Sequence, residues 1–250
     1  MRLTTLTKFL NGYLAVENCP DIALNGLQVE GHADVSKVAL AVDACSETFR
    51  KAASLKSDLL FTHHGIFWNR QYALTGIHAD RIKTLIKNGI SLYSAHLPLD
   101  IHPESGNNAG MIRLLGLEPY EPFGEYKGIK IGYTAAYGKP VAFSSLIQKL
   151  RRLFGIKPVA YKFGSDSVHK FAVVSGEGAF SLEEIHGTDI DTLITGELSH
   201  QSYHLARELR INLIFCGHYA TETIGVKLVG GVIEKKFGLD TVFIDIPTGM

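Results

Sequence analysis

The stretch LLFTHHGIFW, residues 59–68, sets His63 and His64 side by side at the end of an apolar run, with Gly65 directly after them. Leu59, Leu60 and Phe61 read as a buried strand ending at Thr62, which delivers both imidazoles to a strand terminus. Imidazole is the commonest metal-ligating side chain. In open α/β sheets ligands gather at the carboxyl ends of strands, so the other strand ends are where partners belong. SAHLPLD supplies His96 and Asp100, Thr195-Gly196-Glu197 closes another strand, and CGHYATE supplies His218 and Glu222.

In both late motifs three residues separate a histidine from a carboxylate, and aligned on histidine Asp100 lies over Glu222. Pro98 argues against a helix interior, so HLPLD is expected to be extended, with His96 and Asp100 pointing the same way. HYATETIGVKLVGGVIEKKFG reads as a helix with His218 at its entrance and Glu222 one turn on, on the same side. Neutral imidazole with carboxylate suits zinc, iron or manganese. The set His63, His64, Asp100, His218 and Glu222 exceeds what one four-coordinate ion needs and implies two ions sharing a bridging carboxylate. Such a pair, about 3.5–4 Å apart, polarises a substrate oxygen and supplies hydroxide at neutral pH. Glu197 is expected to serve as a general base or to orient a ligand. His96 alone reads as structural or as orienting a neighbour. His78, His102 and His186 sit in polar, loop-like stretches and read as solvated. His200 and His204, four apart on a helix, read as a wet face or as pocket residues.

What must position these groups is a chain of 250 residues, 46% apolar, enough for one large domain or two modest ones. Lys plus Arg balance Asp plus Glu, 25 against 25, so net charge favours neither nucleic acid nor an acidic membrane surface. Cys19, Cys45 and Cys216 are odd in number, far apart and form no CxxC, which argues against a zinc ribbon, a dithiol redox motif and a disulfide framework. The opening MRLTTLTKFLNGYL is a helix by its spacing, not a signal peptide, and no apolar run approaches membrane-spanning length. A soluble, cytoplasmic protein is expected.

The chain repeats itself at an offset of 133: residues 26–42 over 159–175 align Gly31 with Gly164, Val35 with Val168 and Lys37 with Lys170. Without a gap, 57–64 fall on 190–197, matching Asp58 with Asp191 and Thr62 with Thr195. Each copy opens with a helix (Leu3–Leu14, then 143–155), has a helix in the middle (near Ser46, then at the capping-box signature SLEE, 181–184) and closes with a strand, ISLYSAH answering NLIFCGH. ADRIKTLIKNGI, 79–90, shows the helical pattern, with Ile82, Leu85 and Ile86 on one face and Gly89 as its stop. This alternation predicts an α/β fold of two similar α/β/α layered domains, 1–123 and 124–250, parting near 120–126. The last strand, 241–247, could join either sheet.

Taken together, NGLQVEG (25–31), THHG (62–65), HLPLD (96–100), GNN (106–108), TGE (195–197) and GHYATE (217–222) resemble the Nif-three-like dinuclear-metal family, the GTP cyclohydrolase 1 type 2 homologues, in its short form and over essentially the whole chain. The resemblance implies metal ligands at His63, His64, Asp100, His218 and Glu222, with Glu222 bridging, one ion on His64 and Asp100 and the other on His63 and His218. His96 is not a ligand in that pattern. It also implies two similar α/β/α domains with the metals in the cleft between them, and a ring-shaped homohexamer whose sites face an internal cavity. The expected function is that of a dinuclear metal-binding protein: a metal-dependent hydrolase acting on a small molecule such as a nucleotide, with GTP cyclohydrolysis (opening of the purine imidazole ring and release of formate) as the leading case. The alternative is a non-catalytic metal-binding scaffold or regulatory protein. No GxxxxGK[ST] loop is present to cradle a triphosphate. Lys83, Lys149, Arg151 and Arg152 are basic enough to meet phosphates, although helix lysines and arginines usually form a wet face.

Overall fold

In the computed structural model, which describes residues 1–119 and 121–250, the chain forms two compact units: Met1–Leu99 with Gly225–Ile246, and Asp100–Ile224 with Pro247–Met250. Tyr120, the first residue of the expected junction, lies outside the described residues.

The first unit contains α1 (Leu3–Tyr13), β1 (Gly26–Val29), β2 (Lys37–Asp43), α2 (Ser46–Ser54), β3 (Leu59–His64), α3 (Gly76–Lys87), β4 (Ser91–Ser94) and most of a single helical turn, α4 (Leu97–Asp100). The second contains α5 (Asn107–Leu114), β5 (Pro122–Tyr126), β6 (Ile129–Ala142), α6 (Phe143–Phe154), β7 (Val159–Tyr161), β8 (Ser167–Val174), β9 (Thr192–Thr195), α7 (His200–Leu209) and β10 (Asn212–Phe215). The long helix α8 (His218–Phe237) begins in the second unit; from Gly225 onward it belongs to the first, as does β11 (Asp240–Phe243). The expected boundary, 123/124, falls inside β5. No helix among the described residues is long and apolar enough to cross a membrane.

The first sheet has the order β1-β4-β3-β2-β11, parallel except at β1. The last strand thus joins the first sheet. β2 is buried along its centre because both faces are covered, as parallel strands require. Val38 and Leu40 point to α1 and to Val226, Val229 and Ile233 of α8, while Ala39 and Ala41 point to Phe49 of α2 and Leu85 of α3. The result is an α/β/α unit. The second sheet has the order β5-β6-β8-β9-β10-β7, with a parallel centre and antiparallel edges. Met111 and Ile112 of α5 and Phe143, Leu146 and Leu150 of α6 pack on Phe171, Val173, Ile194 and Ile214. Two similar α/β domains are therefore present.

The repeat is visible in the strand register. Val38 lies opposite Leu59, and Phe171 opposite Thr192, both pairs related by the 133 offset. The closing strands obey a different offset: Ser91 faces Leu59 and Asn212 faces Thr192, a shift of 121. This register puts His218 over Leu97, one residue away from the alignment on His96.

Four expectations are corrected. HLPLD is not extended; Leu97–Asp100 is a helical turn, because proline at a helix start loses only an N–H that has no intrahelical partner. SLEE does not cap an α-helix: it lies within a 3-10 helix, Ala179–Ile185, whose N-cap is Gly178, and Ser181 Oγ donates to the Gly178 carbonyl at 2.7 Å. Ile86 is exposed rather than on the core face of α3, where Leu85 alone is fully buried. His102 is buried, its Nδ1 accepting the N–H groups of Glu104 and Ser105 at 3.2 and 3.0 Å, and His78 lies on α3.

Candidate metal centre

In the first unit β3 runs on through both histidines. His63 is fully buried, with Nδ1 2.9 Å from the Ala95 carbonyl. His64 stands opposite Asp43 in the β2–β3 register, and its Nδ1 lies 2.8 Å from Asp43 Oδ1. His96 follows β4; its Nδ1 is 3.0 Å from both carboxylate oxygens of Asp21, and its backbone N–H donates to Asn25 Oδ1 at 2.8 Å. One ring nitrogen from each of His63, His64 and His96 lies within 4.8 Å of the others. Burial alone would raise the Asp21 pKa, but His96, the Ala23 N–H and Asn25 outweigh it and hold the carboxyl well below the usual range.

The flanking motifs explain themselves here. A Cβ on Gly65 would come within 2.2 Å of the Gln28 amide, whose Oε1 accepts the Ile66 N–H at 2.8 Å, so NGLQVEG latches the loop after the histidines. Trp68 packs its ring 5.0 Å from His96 and 5.8 Å from His64 and donates Nε1–H to the Gly65 carbonyl.

In the second unit Asp100 is buried and its Oδ1 accepts from Asn107 Nδ2 and Ser175 Oγ, both at 2.9 Å. Asn108 donates to the Asp100 and Ile131 carbonyls and accepts the Ser175 N–H at 2.6 Å, which gives GNN its role. On the first turn of α8, His218 Nε2 lies 3.0 Å from Oε1 of the buried Glu222, and its Nδ1 lies 2.5 Å from Glu197 Oε1. Burial pulls the His218 pKa down, but Glu222 and then Glu197 outweigh it and push it up to about 9. Gly176, at φ +59°, follows Ser175; a Cβ there would sit 2.4 Å from Glu222 Oε1. The glycine of TGE is required too: a Cβ on Gly196 would meet the Gly176 carbonyl at 2.7 Å and His218 Cα at 2.8 Å.

The donor chemistry fits divalent ions. His63, His64 and His218 each have Nδ1 against an oxygen acceptor, which makes Nδ1–H the donor there and leaves Nε2 as the nitrogen each has to give. Buried carboxylates accompany them at Asp100 and Glu222. Possible metal-binding His and Glu groups are therefore present.

Glu197 holds His218, and His200 and His204 lie exposed on α7 with rings 6.3 Å apart. Lys149 donates to the Leu115 carbonyl at 2.6 Å, so it caps the end of α5. Sequence reasoning missed Asp43, Asp21 and Ser175, and singled out Asn107 only as part of GNN, with no role assigned. The signal for Asp43 was its place at the end of the strand beside β3.

A family model described as Duf34/NIF3 (NGG1p interacting factor 3) matches residues 1–249. A Pyrococcus abyssi protein named GTP cyclohydrolase 1 type 2 homolog is 46% identical, with 100% of both chains covered. A protein of the same name from Archaeoglobus fulgidus is 44% identical, again over 100% of each. A crystal structure from Thermus thermophilus superposes with a TM-score of 0.92 at 39% identity, covering 100% of both chains. With its full length matched by both sequence and fold, the chain belongs to the Duf34/NIF3 family.

Proposed function

We propose that this protein binds two divalent cations through His63, His64, Asp100, His218 and Glu222 and uses them to hydrolyse a small molecule, with GTP as the first substrate to test. His64 and Asp100 serve one ion, His63 and His218 the other, and Glu222 bridges. The observation that carries the reading is the anchoring of Nδ1 in each of the three histidines by an oxygen acceptor. The names of the relatives add the guanine nucleotide.

When bound, a divalent pair supplies Lewis acidity toward a substrate oxygen and acidifies water. The rest falls to the chain. Asn107 and Ser175 fix the Asp100 carboxylate through one oxygen. Asp43 and Glu197 hold His64 and His218 in one ring orientation. Without a cation, His218 carries a proton between Glu222 and Glu197, so loading must remove that proton from Nε2. Glu197, whose carboxylate lies against His218 and is not assigned to a cation, is our choice for the group that receives a proton during turnover.

The test is to incubate metal-loaded protein with GTP and assay formate against a metal-stripped control. Turnover only in the loaded sample is expected. No turnover above the control removes the GTP cyclohydrolase reading and leaves the metal-binding reading standing. The resemblance also carries a homohexameric ring, for which light scattering should give six chains.

A further inference from the structure

We propose that His96 is a third imidazole ligand beside His63 and His64, so that the first unit presents three nitrogens to the cation pair. The family pattern does not include this residue; the inference rests on the metal-binding reading and deepens it.

Three observations within that unit carry it. First, one ring nitrogen of each histidine lies within 4.8 Å of the other two, and the His96 ring centroid is 5.2 Å from that of His63 and 5.6 Å from that of His64. Second, His96 has the same orienting device as the others: its Nδ1 faces both oxygens of Asp21, as His64 faces Asp43 and His63 faces the Ala95 carbonyl. With Nδ1 committed in all three, Nε2 is what each has to offer. Third, the holder is itself held. Asp21 also accepts the Ala23 and Leu97 N–H groups and Asn25 Nδ2, all at 3.0 Å, while Asn25 fixes the His96 backbone and Trp68 flanks the His96 ring. A buried carboxylate bonded this many times, aimed at one imidazole, sets ring orientation to the tolerance a ligand needs. An ordinary salt-bridged surface histidine needs none of it.

The test uses the whole protein loaded with Co(II). An imidazole bound to paramagnetic cobalt shows its Nδ1–H as a hyperfine-shifted, exchangeable proton NMR signal, and the acceptors above protect each such proton from solvent. Four of these signals are expected in the wild type, from His63, His64, His96 and His218, and three in His96→Gln. Chelator competition should show His96→Gln holding one ion more than about 100-fold more weakly, as for the loss of any ligand. Three signals in the wild type overturn the proposal while leaving the other ligands standing. No cobalt bound by the wild type overturns the metal-binding reading and this proposal together. The wild-type count decides by itself, whether or not the variant folds.

Discussion

The two units share one backbone plan and differ in what they carry at the strand ends. β2 and β3 pair in the register of β8 and β9, and β1 pairs with β4 as β7 does with β10. The residues retained across the repeat hold backbone. Asp58 Oδ2 accepts the Ser36 and Lys37 N–H groups, and Asp191 Oδ2 accepts those of His169 and Lys170, the counterparts at the 133 offset. Gly31 lies against the Gly89 carbonyl as Gly164 lies against that of Arg210. At the end of β3, by contrast, His63-His64 occupy the places that Gly196-Glu197 hold after β9. One copy offers imidazoles; the other offers a close-packed glycine and the carboxylate that orients His218. A duplicated scaffold can keep its strand-start latches and let its strand-end side chains diverge, because the latches determine register and the ends do not.

The sharpest way to break this comparison is at the paired glycines. A Cβ would fall 2.2 Å from a carbonyl oxygen at Gly31 and 2.3 Å from one at Gly164. Gly31→Ala and Gly164→Ala should each cost about 3 kcal/mol in urea unfolding, a backbone clash with no flexible side chain to yield. A large loss in one and none in the other would separate the two copies.

At the diverged positions the expected effects differ in kind. His64→Ala removes a proposed ligand and should weaken cation binding by more than about 100-fold, whereas Glu197→Ala removes only an orienting acceptor and should cost about 10–100-fold. Titration with a chelating indicator distinguishes them, and equal losses would erase the distinction between the two strand ends.

Next comes pH. In the metal-free protein His218 is held up to about 9 by Glu222 and Glu197 against the pull of burial, so cation binding below that pH displaces a proton. Apparent affinity should rise about tenfold per pH unit as that proton is lost more readily, with one proton released per chain in weakly buffered solution. A pH-independent affinity would contradict the bridged imidazolium.

The smallest effect concerns the paired aspartates. Asp58→Asn and Asp191→Asn should cost similar amounts, about 1–2 kcal/mol each, because each also accepts a hydroxyl at 2.7 Å, that of Ser36 at Asp58 and that of Thr192 at Asp191. Burial would raise the Asp58 pKa, but the Ser36 and Lys37 bonds outweigh it and lower it. Its contribution is therefore complete above the ordinary carboxylate pKa and is lost as pH falls through the depressed value. The gap between wild type and Asp58→Asn should narrow only in acid; a gap that grew there would reverse the sign.

The alternation of strands and helices was legible because parallel strands covered on both faces read as apolar runs, and the repeat was legible because Gly31, Asp58 and their counterparts hold backbone. The pairing of His218 with Glu222 was legible too, since one helical turn is a local rule. What escaped the sequence was through-space or locally ambiguous. Asp21 reaches His96 across 75 positions and Asp43 reaches His64 across 21, distances at which only register says who meets whom. Pro98 is as compatible with the start of a helix as with an extended chain. The one-residue slip at His96 arose because matching two histidines is a chemical alignment, whereas the sheet aligns carbonyls.

The central claim is a cation pair joined by one carboxylate, and elemental analysis of Glu222→Gln beside the wild type tests it most directly. Both proteins would be purified after saturation with zinc and desalted, with circular dichroism confirming that the variant is folded. Two ions per wild-type chain and a loss of both in the folded variant is the predicted result. One ion kept and one lost, or no zinc retained by the wild type, would contradict it.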